Sequence, residues 1–281
     1  MIRIAVLQTR VTDNKETNLS NARESIREAA ERGADLAVLP EMFCCPYADP
    51  YFRQFAEPAG GKICSSIAES AAKYGIAVVA GSMPESEDGR LFNTSFVYDR
   101  AGKQIARHRK MHLFDVNFRN GQYFKESDTF AAGDGITVFD FEGMRFGLCI
   151  CFDMRFPELA RLMTLKGAET IVVPAAFNMT TGPMHWETMF RQRAADNLVY
   201  TIGCAPARDE HAVYVSYANS IICSPLGEVM ERAGTGEEML LAELDHEPVL
   251  AAREQLPLIA ARRTDIYEVT VRDLMRGRES D

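Results

Sequence analysis

The sequence lacks any apolar run approaching the roughly 18 residues needed to cross a bilayer. It also lacks low-complexity segments, internal repeats, linkers rich in Gly, Pro or Ser, and charged tails. Its start, MIRIAVLQTR, has no basic region, long apolar core or small-residue cleavage site of the secretory kind. These absences predict a soluble, cytoplasmic, membrane-free protein folded as a single domain over 1–281, with the last ~15 residues a polar tail. Basic residues are outnumbered 31 to 40, for a formal charge of −9. Neutralising phosphates needs a basic face, so nucleic acid is excluded as a main partner. Seven cysteines, at 44, 45, 64, 149, 151, 204 and 223, make an odd count in a large chain. That argues against a disulfide framework and for mostly reduced, core-packed thiols.

What is present is a core: 47% of the residues are hydrophobic. Residues 2–8, 35–39, 76–82, 91–100, 104–109, 136–141, 144–150, 169–174, 198–204, 218–223 and 238–244 read as strands. Residues 15–32, 60–74, 157–166, 184–197 and 246–256 read as helices. Asp13 or Asn14 is placed to cap the first helix, and Gly33 to stop it. Residues 41–59, with aromatics and three prolines, read as a structured loop. Residues 110–135 read as a long irregular segment, which in a compact domain is functional or disordered. Helices alternate with strands, yet several neighbouring strands are hairpins, joined at 99–102 and at Glu142-Gly143. The expected fold is therefore α/β with mixed sheets, and so many strands require two layered sheets.

Three reactive side chains stand just beyond strands. Glu41 follows DLAVLP, Lys110 follows QIARHR, and Cys151 follows MRFGLCI ahead of a helix. In α/β sheets, ligands bind beyond the carboxyl ends of strands. Taken singly, these residues read as loop carboxylate, surface charge and core thiol. Together they are complementary. A carboxylate can take the thiol proton, the thiolate can attack a carbonyl carbon, and an ammonium can stabilise the oxyanion. The backbone N–H of Phe152 is a second oxyanion donor. This is amide hydrolysis through a thioester, and it requires neither metal nor organic cofactor. Cys149 competes with Cys151, since residues i and i+2 of a strand point the same way. Cys149 lies mid-strand, however, and the further Cys or His ligands of a metal site are not found at suitable spacing. A Cys–His pair is the other alternative, with His112 and His185 as pocket residues, but the sequence does not rank either as a base.

The segments LPEMF, RKMHLFD and GLCICFDMRFPELAR resemble those of the nitrilase superfamily of carbon–nitrogen hydrolases, and the likeness runs from IAVLQ to RRTDIY. The resemblance implies a Glu41–Lys110–Cys151 triad and a second glutamate, Glu126 of FKES, positioning the lysine and the substrate. It also implies a four-layer α-β-β-α sandwich paired with a second subunit through its helical faces. HLFD and AAFNMTTGPMHWE are most similar to the ω-amidase branch. That branch hydrolyses the terminal amide of 2-oxoglutaramate or 2-oxosuccinamate to the acid and ammonia. Deaminated glutathione, N-carbamoyl compounds and simple aliphatic amides are the alternative substrates. A non-catalytic scaffold on the same fold is the alternative of another class. A half-amide of a dicarboxylic acid needs a cation for its far carboxylate, and Arg155 suits it. Its other reading is an ion pair with Asp153 or Glu158. Phe177, Asn178 and Thr181, beyond another strand, and Tyr47 are the expected pocket walls. Two positions depart from the resemblance. Phe152 stands where Tyr is common, and Cys44-Cys45 occupy a stretch that is usually more polar.

Overall fold

The protein is described by a computed structural model covering residues 1–117 and 123–271. The expected tail falls mostly outside the described residues. The chain begins with β1 (Ile2–Gln8), α1 (Lys15–Glu31) and β2 (Leu36–Val38). It continues through α2 (Asp49–Phe55), α3 (Lys62–Tyr74), β3 (Ala77–Val79), β4 (Met83–Glu87), β5 (Arg90–Tyr98) and β6 (Gln104–Arg109). A short hairpin of β7 (Asp115–Asn117) and β8 (Tyr123–Lys125) follows. The second half comprises β9 (Thr137–Phe141), β10 (Met144–Leu148), α4 (Pro157–Leu165), β11 (Thr170–Pro174), α5 (Thr181–Asn197) and β12 (Tyr200–Cys204). It ends with β13 (Ile221–Cys223), β14 (Val229–Arg232), β15 (Glu238–Leu244) and α6 (His246–Gln255).

One sheet runs β15-β1-β2-β3-β5, with β4 and β6 also paired to β5; the other runs β14-β13-β12-β11-β10-β9. Both are mixed. The β1–β2–β3 and β10–β11–β12 ladders are parallel and the outer pairs antiparallel. Alternation along the strands builds the layers. Ile4 and Val6 face Phe146, Leu148 and Ile202 of the opposite sheet. Ala5 and Leu7 face outward onto Leu19, Ala22 and Ile26 of α1 and onto α3. On the far side, Ile171 and Val173 pack against Met163 of α4 and Trp186 and Phe190 of α5. Each fully buried Val, Ile or Leu contributes about 1.5–3 kcal/mol, and strands buried on both faces gather that from two layers at once. The result is the expected four-layer α-β-β-α sandwich.

Local chemistry sets the element ends. The Asn14 side chain caps α1 by accepting from Thr17 N–H at 2.9 Å, so Asn14 rather than Asp13 is the cap. Helix α5 begins at Thr181, three residues earlier than its pattern suggests. Pro183 sits in its first turn, where a missing N–H costs no hydrogen bond. Four stretches run against the sequence reading: the β7–β8 hairpin lies inside the expected irregular segment 110–135, β14 forms where no strand is expected, and α2 and β4 are the other two. Helix α2 lies inside the expected 41–59 loop, started by Pro50 and held by buried Phe52 and Phe55. Strand β4 has the polar sequence MPESE, yet Glu85 is buried and accepts from Thr94, Arg107 and Arg109.

Candidate active site

Glu41 lies three residues beyond β2, on a chain that turns sharply at Met42 (φ 52°). Gly81 permits this turn: a Cβ there would stand 2.0 Å from the Pro40 carbonyl oxygen. Lys110 directly follows β6, and its backbone N–H bonds the Asn93 carbonyl at 2.8 Å. Cys151 opens a 3₁₀ turn after β10 with φ 46°, a left-handed conformation that non-glycine residues rarely adopt. Such strain concentrates at functional sites. Glu126 begins a 3₁₀ turn just after β8.

All four side chains converge and are buried. Lys110 Nζ lies 2.9 Å from Glu41 Oε1 and 2.8 Å from Glu126 Oε2, and donates to Tyr47 Oη at 3.1 Å. Glu41 Oε2 accepts the Ala176 N–H at 2.8 Å, and Glu126 Oε2 accepts the Phe114 N–H at 2.6 Å. The Cys151 thiol interacts with the Glu41 carboxylate and the Ala176 N–H. One ammonium between two carboxylates leaves a net negative, water-poor cluster. Burial pushes the Glu41 carboxyl up; Lys110 opposes that and Glu126 adds to it. Burial alone would lower the Lys110 ammonium, but Glu126 and Glu41 outweigh it and hold the group above its ordinary range. Burial, then the Glu41 charge, raises the Cys151 thiol well above the ordinary range, so it does not ionise by itself near neutral pH.

A small cavity reaches the thiol, lined by Cys151, Phe152, Arg155, Phe177, Asn178 and Thr181, together with Tyr47, Phe114, Ala176 and Tyr214. Arg155 Nη1 donates to His185 Nδ1 at 3.1 Å, and its guanidinium lies 4.8 Å from the Phe177 ring centre. Burial lowers the His185 imidazole, and the Arg155 charge adds to that, so it serves as a neutral acceptor. Among the described residues no carboxylate lies within 4.0 Å of Arg155, and its Nε is buried without a partner. The alternative reading of Arg155, an ion pair with Asp153 or Glu158, is therefore not what the chain forms. Phe177 is both wall and core, packed edge-on against Trp186 at 5.1 Å. Asn178 Oδ1 accepts from Thr180 N–H, Thr181 N–H and Thr181 Oγ1 just ahead of α5, leaving its buried Nδ2 as a spare donor. The Thr181 hydroxyl is thereby used within the wall.

Three residues at the site carry no obvious sequence signal. Asn93, in mid-strand β5, donates its Nδ2 to Glu41 at 2.9 Å and to Glu126 at 3.1 Å. Tyr214 closes the cavity, its hydroxyl donating to the Ala176 carbonyl. Asp153 is fully buried and clamps the Cys151 turn to the Lys110 segment. It accepts from Ile150 N–H, His112 N–H, His112 Nδ1 and His108 Nε2 at 3.1, 2.9, 2.8 and 3.0 Å. His112 is thus committed to Asp153 and stacks on Phe156 at 3.7 Å. His185 serves Arg155, which leaves neither histidine as the partner of Cys151. Cys149 lies one residue past the end of β10, not mid-strand as expected, with its N–H on the Val172 carbonyl at 3.2 Å; it is buried in the outer core beside Met163, and all seven cysteines are free. Among the described residues no cluster of ligating side chains could hold a metal ion.

Although burial opposes its charge, hydrogen bonds from His108 and His112 depress the Asp153 carboxyl far below its ordinary 3.8. Its contribution to stability is fully present above that unfolded value and is lost as the pH falls toward the folded one. Asp153→Asn should lower the midpoint of urea unfolding at neutral pH and flatten the loss of stability between about pH 5 and pH 2. An acid limb identical to wild type would remove Asp153 from this role.

A layered α/β sandwich with a thiol, a carboxylate and an ammonium buried at its strand ends is the architecture of a hydrolytic enzyme. The carbon–nitrogen hydrolase family profile matches residues 3–254, and the chain belongs to that family. It is similar to the ω-amidase NIT2 of Xenopus tropicalis, 43% identical over 267 residues that cover 95% of this chain and 97% of that protein. The ω-amidase NIT2 of Homo sapiens is 40% identical over 270 residues, covering 96% and 98%. The fold matches the crystal structure of Saccharomyces cerevisiae Nit3, of the nitrilase superfamily, with TM-score 0.85 and 37% identity over 93% of this chain and 96% of that one. The Caenorhabditis elegans NitFhit structure matches with TM-score 0.88 and 29% identity, covering 96% of this chain and 67% of that one. The protein is an amide-hydrolysing enzyme.

Proposed function

We propose that the enzyme is an ω-amidase, hydrolysing the terminal amide of a short dicarboxylic half-amide of the 2-oxoglutaramate or 2-oxosuccinamate type. The observation that carries this reading is Arg155, a largely buried guanidinium with no carboxylate partner among the described residues, sharing one cavity with Cys151. A desolvated, unpaired cation is costly, and a bidentate substrate carboxylate relieves that cost. Asn178 Nδ2 is a spare donor in the same wall, suited to the 2-oxo group. The similarity to ω-amidases supports the same substrate class.

The chemistry follows from the cluster. Glu41 takes the Cys151 proton as sulfur attacks the amide carbon. The tetrahedral oxyanion is met by the Lys110 ammonium and the backbone N–H of Phe152. The C–N bond breaks, and the nitrogen leaves as ammonia with the proton held by Glu41. Glu41 then activates a water that hydrolyses the thioester, releasing the carboxylic acid and the thiol. Glu126 and Tyr47 hold Lys110 through charge and hydrogen bond. Burial, with the Glu126 charge adding to it, keeps the Glu41 carboxyl raised against the pull of Lys110, which suits a group that must both accept and return a proton. Every role is filled by a side chain or backbone group of this chain, working as one domain in the cytoplasm without a cofactor. Pairing of two subunits through their helical faces completes the reading.

Ammonia release from 2-oxoglutaramate, deaminated glutathione, an N-carbamoyl amino acid and a neutral aliphatic amide tests it. The half-amide should be turned over fastest; faster turnover of deaminated glutathione would sink the ω-amidase reading. Arg155→Lys should raise KM for the half-amide by about tenfold or more, since a point charge cannot reproduce the planar fork. It should leave KM for the neutral amide nearly unchanged. Equal effects on both substrates would remove Arg155 from the carboxylate role.

A further inference from the structure

Two cavities meet at one wall. The inner holds Cys151, Phe152 and Arg155. The outer, about 510 Å³, is bordered by Glu41, Met42, Cys45, Arg10, Asp209 and His211. Tyr47, Ala176 and Tyr214 line both. Two of these three serve the acid–base network directly: the Tyr47 hydroxyl accepts from Lys110, and the Ala176 N–H donates to Glu41. The Tyr214 side chain makes neither kind of contact. Its ring packs 4.9 Å from that of Tyr47, and its hydroxyl donates to the Ala176 carbonyl.

The backbone behind this ring is pinned. Tyr217 N–H bonds the Phe177 carbonyl at 2.8 Å, and Ser216 forms an isolated bridge with Asn178. Arg208 Nη2 donates to the Tyr217 carbonyl at 2.9 Å. Tyr214, two residues before this anchored stretch, is itself held by its hydroxyl on the Ala176 carbonyl and its ring against Tyr47.

The side that Tyr214 closes follows from the neighbours of each cavity. Arg155 borders the inner cavity and not the outer, whereas Glu41 borders the outer and not the inner. With the substrate carboxylate on Arg155 and its amide carbon at Cys151, the nitrogen is the substituent turned toward Glu41 and hence toward the wall. A substituent on that nitrogen would have to occupy the space of the Tyr214 ring. We propose that Tyr214 is the specificity residue that restricts the enzyme to unsubstituted amides, by closing the leaving-group side. Cutting the ring back joins the two cavities and gives an N-alkyl group room in the outer one. The reaction keeps its balance: the acyl–nitrogen bond breaks, the acyl–sulfur bond forms, and an alkylamine departs with the Glu41 proton in place of ammonia.

This inference rests on the reading that Arg155 holds the substrate carboxylate, and the experiment separates the two. The monoamide of butanedioic acid and its N-methyl and N-(2-hydroxyethyl) derivatives are compared, with release of ammonia or amine measured for each. Propanamide and N-methylpropanamide form a second pair without a carboxylate. Wild type should cleave the parent half-amide and release little amine from either derivative. Tyr214→Ala should raise the ratio of N-substituted to parent turnover at least about tenfold, the gain of about 1.4 kcal/mol in relative barrier. Tyr214→Phe, which keeps the ring, should leave that ratio unchanged. Where Tyr214→Ala also loses parent turnover, the ratio is read in Tyr214→Leu. Wild type cleaving the N-methyl derivative as fast as the parent overturns the proposal. So does an unchanged ratio in the shortened variant. Preference of wild type for propanamide over the half-amide would instead sink the Arg155 reading, and the propanamide pair would still report on Tyr214.

Discussion

Cys151→Ala is expected to lower ammonia release on the order of 10⁴-fold or more, because it removes the proposed nucleophile and with it the covalent route. The fold should survive. The side chain is small, and alanine meets the same left-handed backbone at φ 46° that cysteine already tolerates. Cys149→Ala is the matched control. Its thiol is buried on the outer face of the second sheet, beside Met163 and Ile171 and away from the cavity. It should cost about 1 kcal/mol of stability as a small void and leave turnover near wild type. Wild type incubated with substrate and quenched in acid should carry an acyl mass on the peptide containing Cys151, absent from the Cys151→Ala protein. Ammonia release surviving in Cys151→Ala, or lost equally in Cys149→Ala, would reassign the nucleophile.

The contrast between these two thiols marks what a linear reading can reach. Both sit in GLCICF, and alternation alone puts them on one side. The distinction comes from where pairing stops. Strand β10 ends at Leu148, and the chain then turns at Cys151 into a left-handed conformation that lifts its side chain out of the layer. Strand ends and helix starts are written in proline, glycine and hydrophobic period, so Glu41, Lys110 and Cys151 were legible at their positions. The layers were legible for the same reason, since Ile4 and Val6 alternate with Ala5 and Leu7. Asn93 was not. In LFNTSFVY it reads as an ordinary polar residue of a half-buried strand, and only the packing of β5 beneath two carboxylates makes it a shared donor. By sequence separation alone, Asp153 is a natural neighbour for Arg155. Instead it faces His108 of β6 and His112 just beyond that strand, both more than forty residues upstream. Strand β4 was hidden by its charges, which are answered by Arg107 and Arg109 across the sheet. In each case the missing information is a long-range polar pairing, which has no period along the chain.

Lys110→Met tests that pairing where it matters most. The substitution keeps a long unbranched side chain and removes only the ammonium, leaving Glu41 and Glu126 buried with no cation between them. Breaking a buried ion pair by deleting one partner costs about 3–5 kcal/mol, so the variant should melt well below wild type. Its pH dependence should also differ. Burial already raises the Glu41 carboxyl, and Lys110 is the largest influence opposing that rise. Without the lysine the Glu41 carboxyl should titrate higher still in the folded protein than in the unfolded chain. The folded state then binds more protons than the unfolded one, and stability falls as the pH rises. The deficit against wild type should shrink as the pH is lowered from about 8 to about 5, the opposite of the usual acid response. Turnover should fall about 10²–10³-fold for the lost oxyanion stabilisation alone, and further because a protonated Glu41 cannot take the Cys151 proton. Lys110→Arg should not restore it, since a rigid guanidinium does not fit a fully enclosed site shaped for a point charge. Thermal melts across that pH range, with single-turnover rates in parallel, read both effects. A variant that melts like wild type at every pH, or keeps turnover within tenfold, would mean that the charge of Lys110 neither holds the cluster together nor assists the reaction.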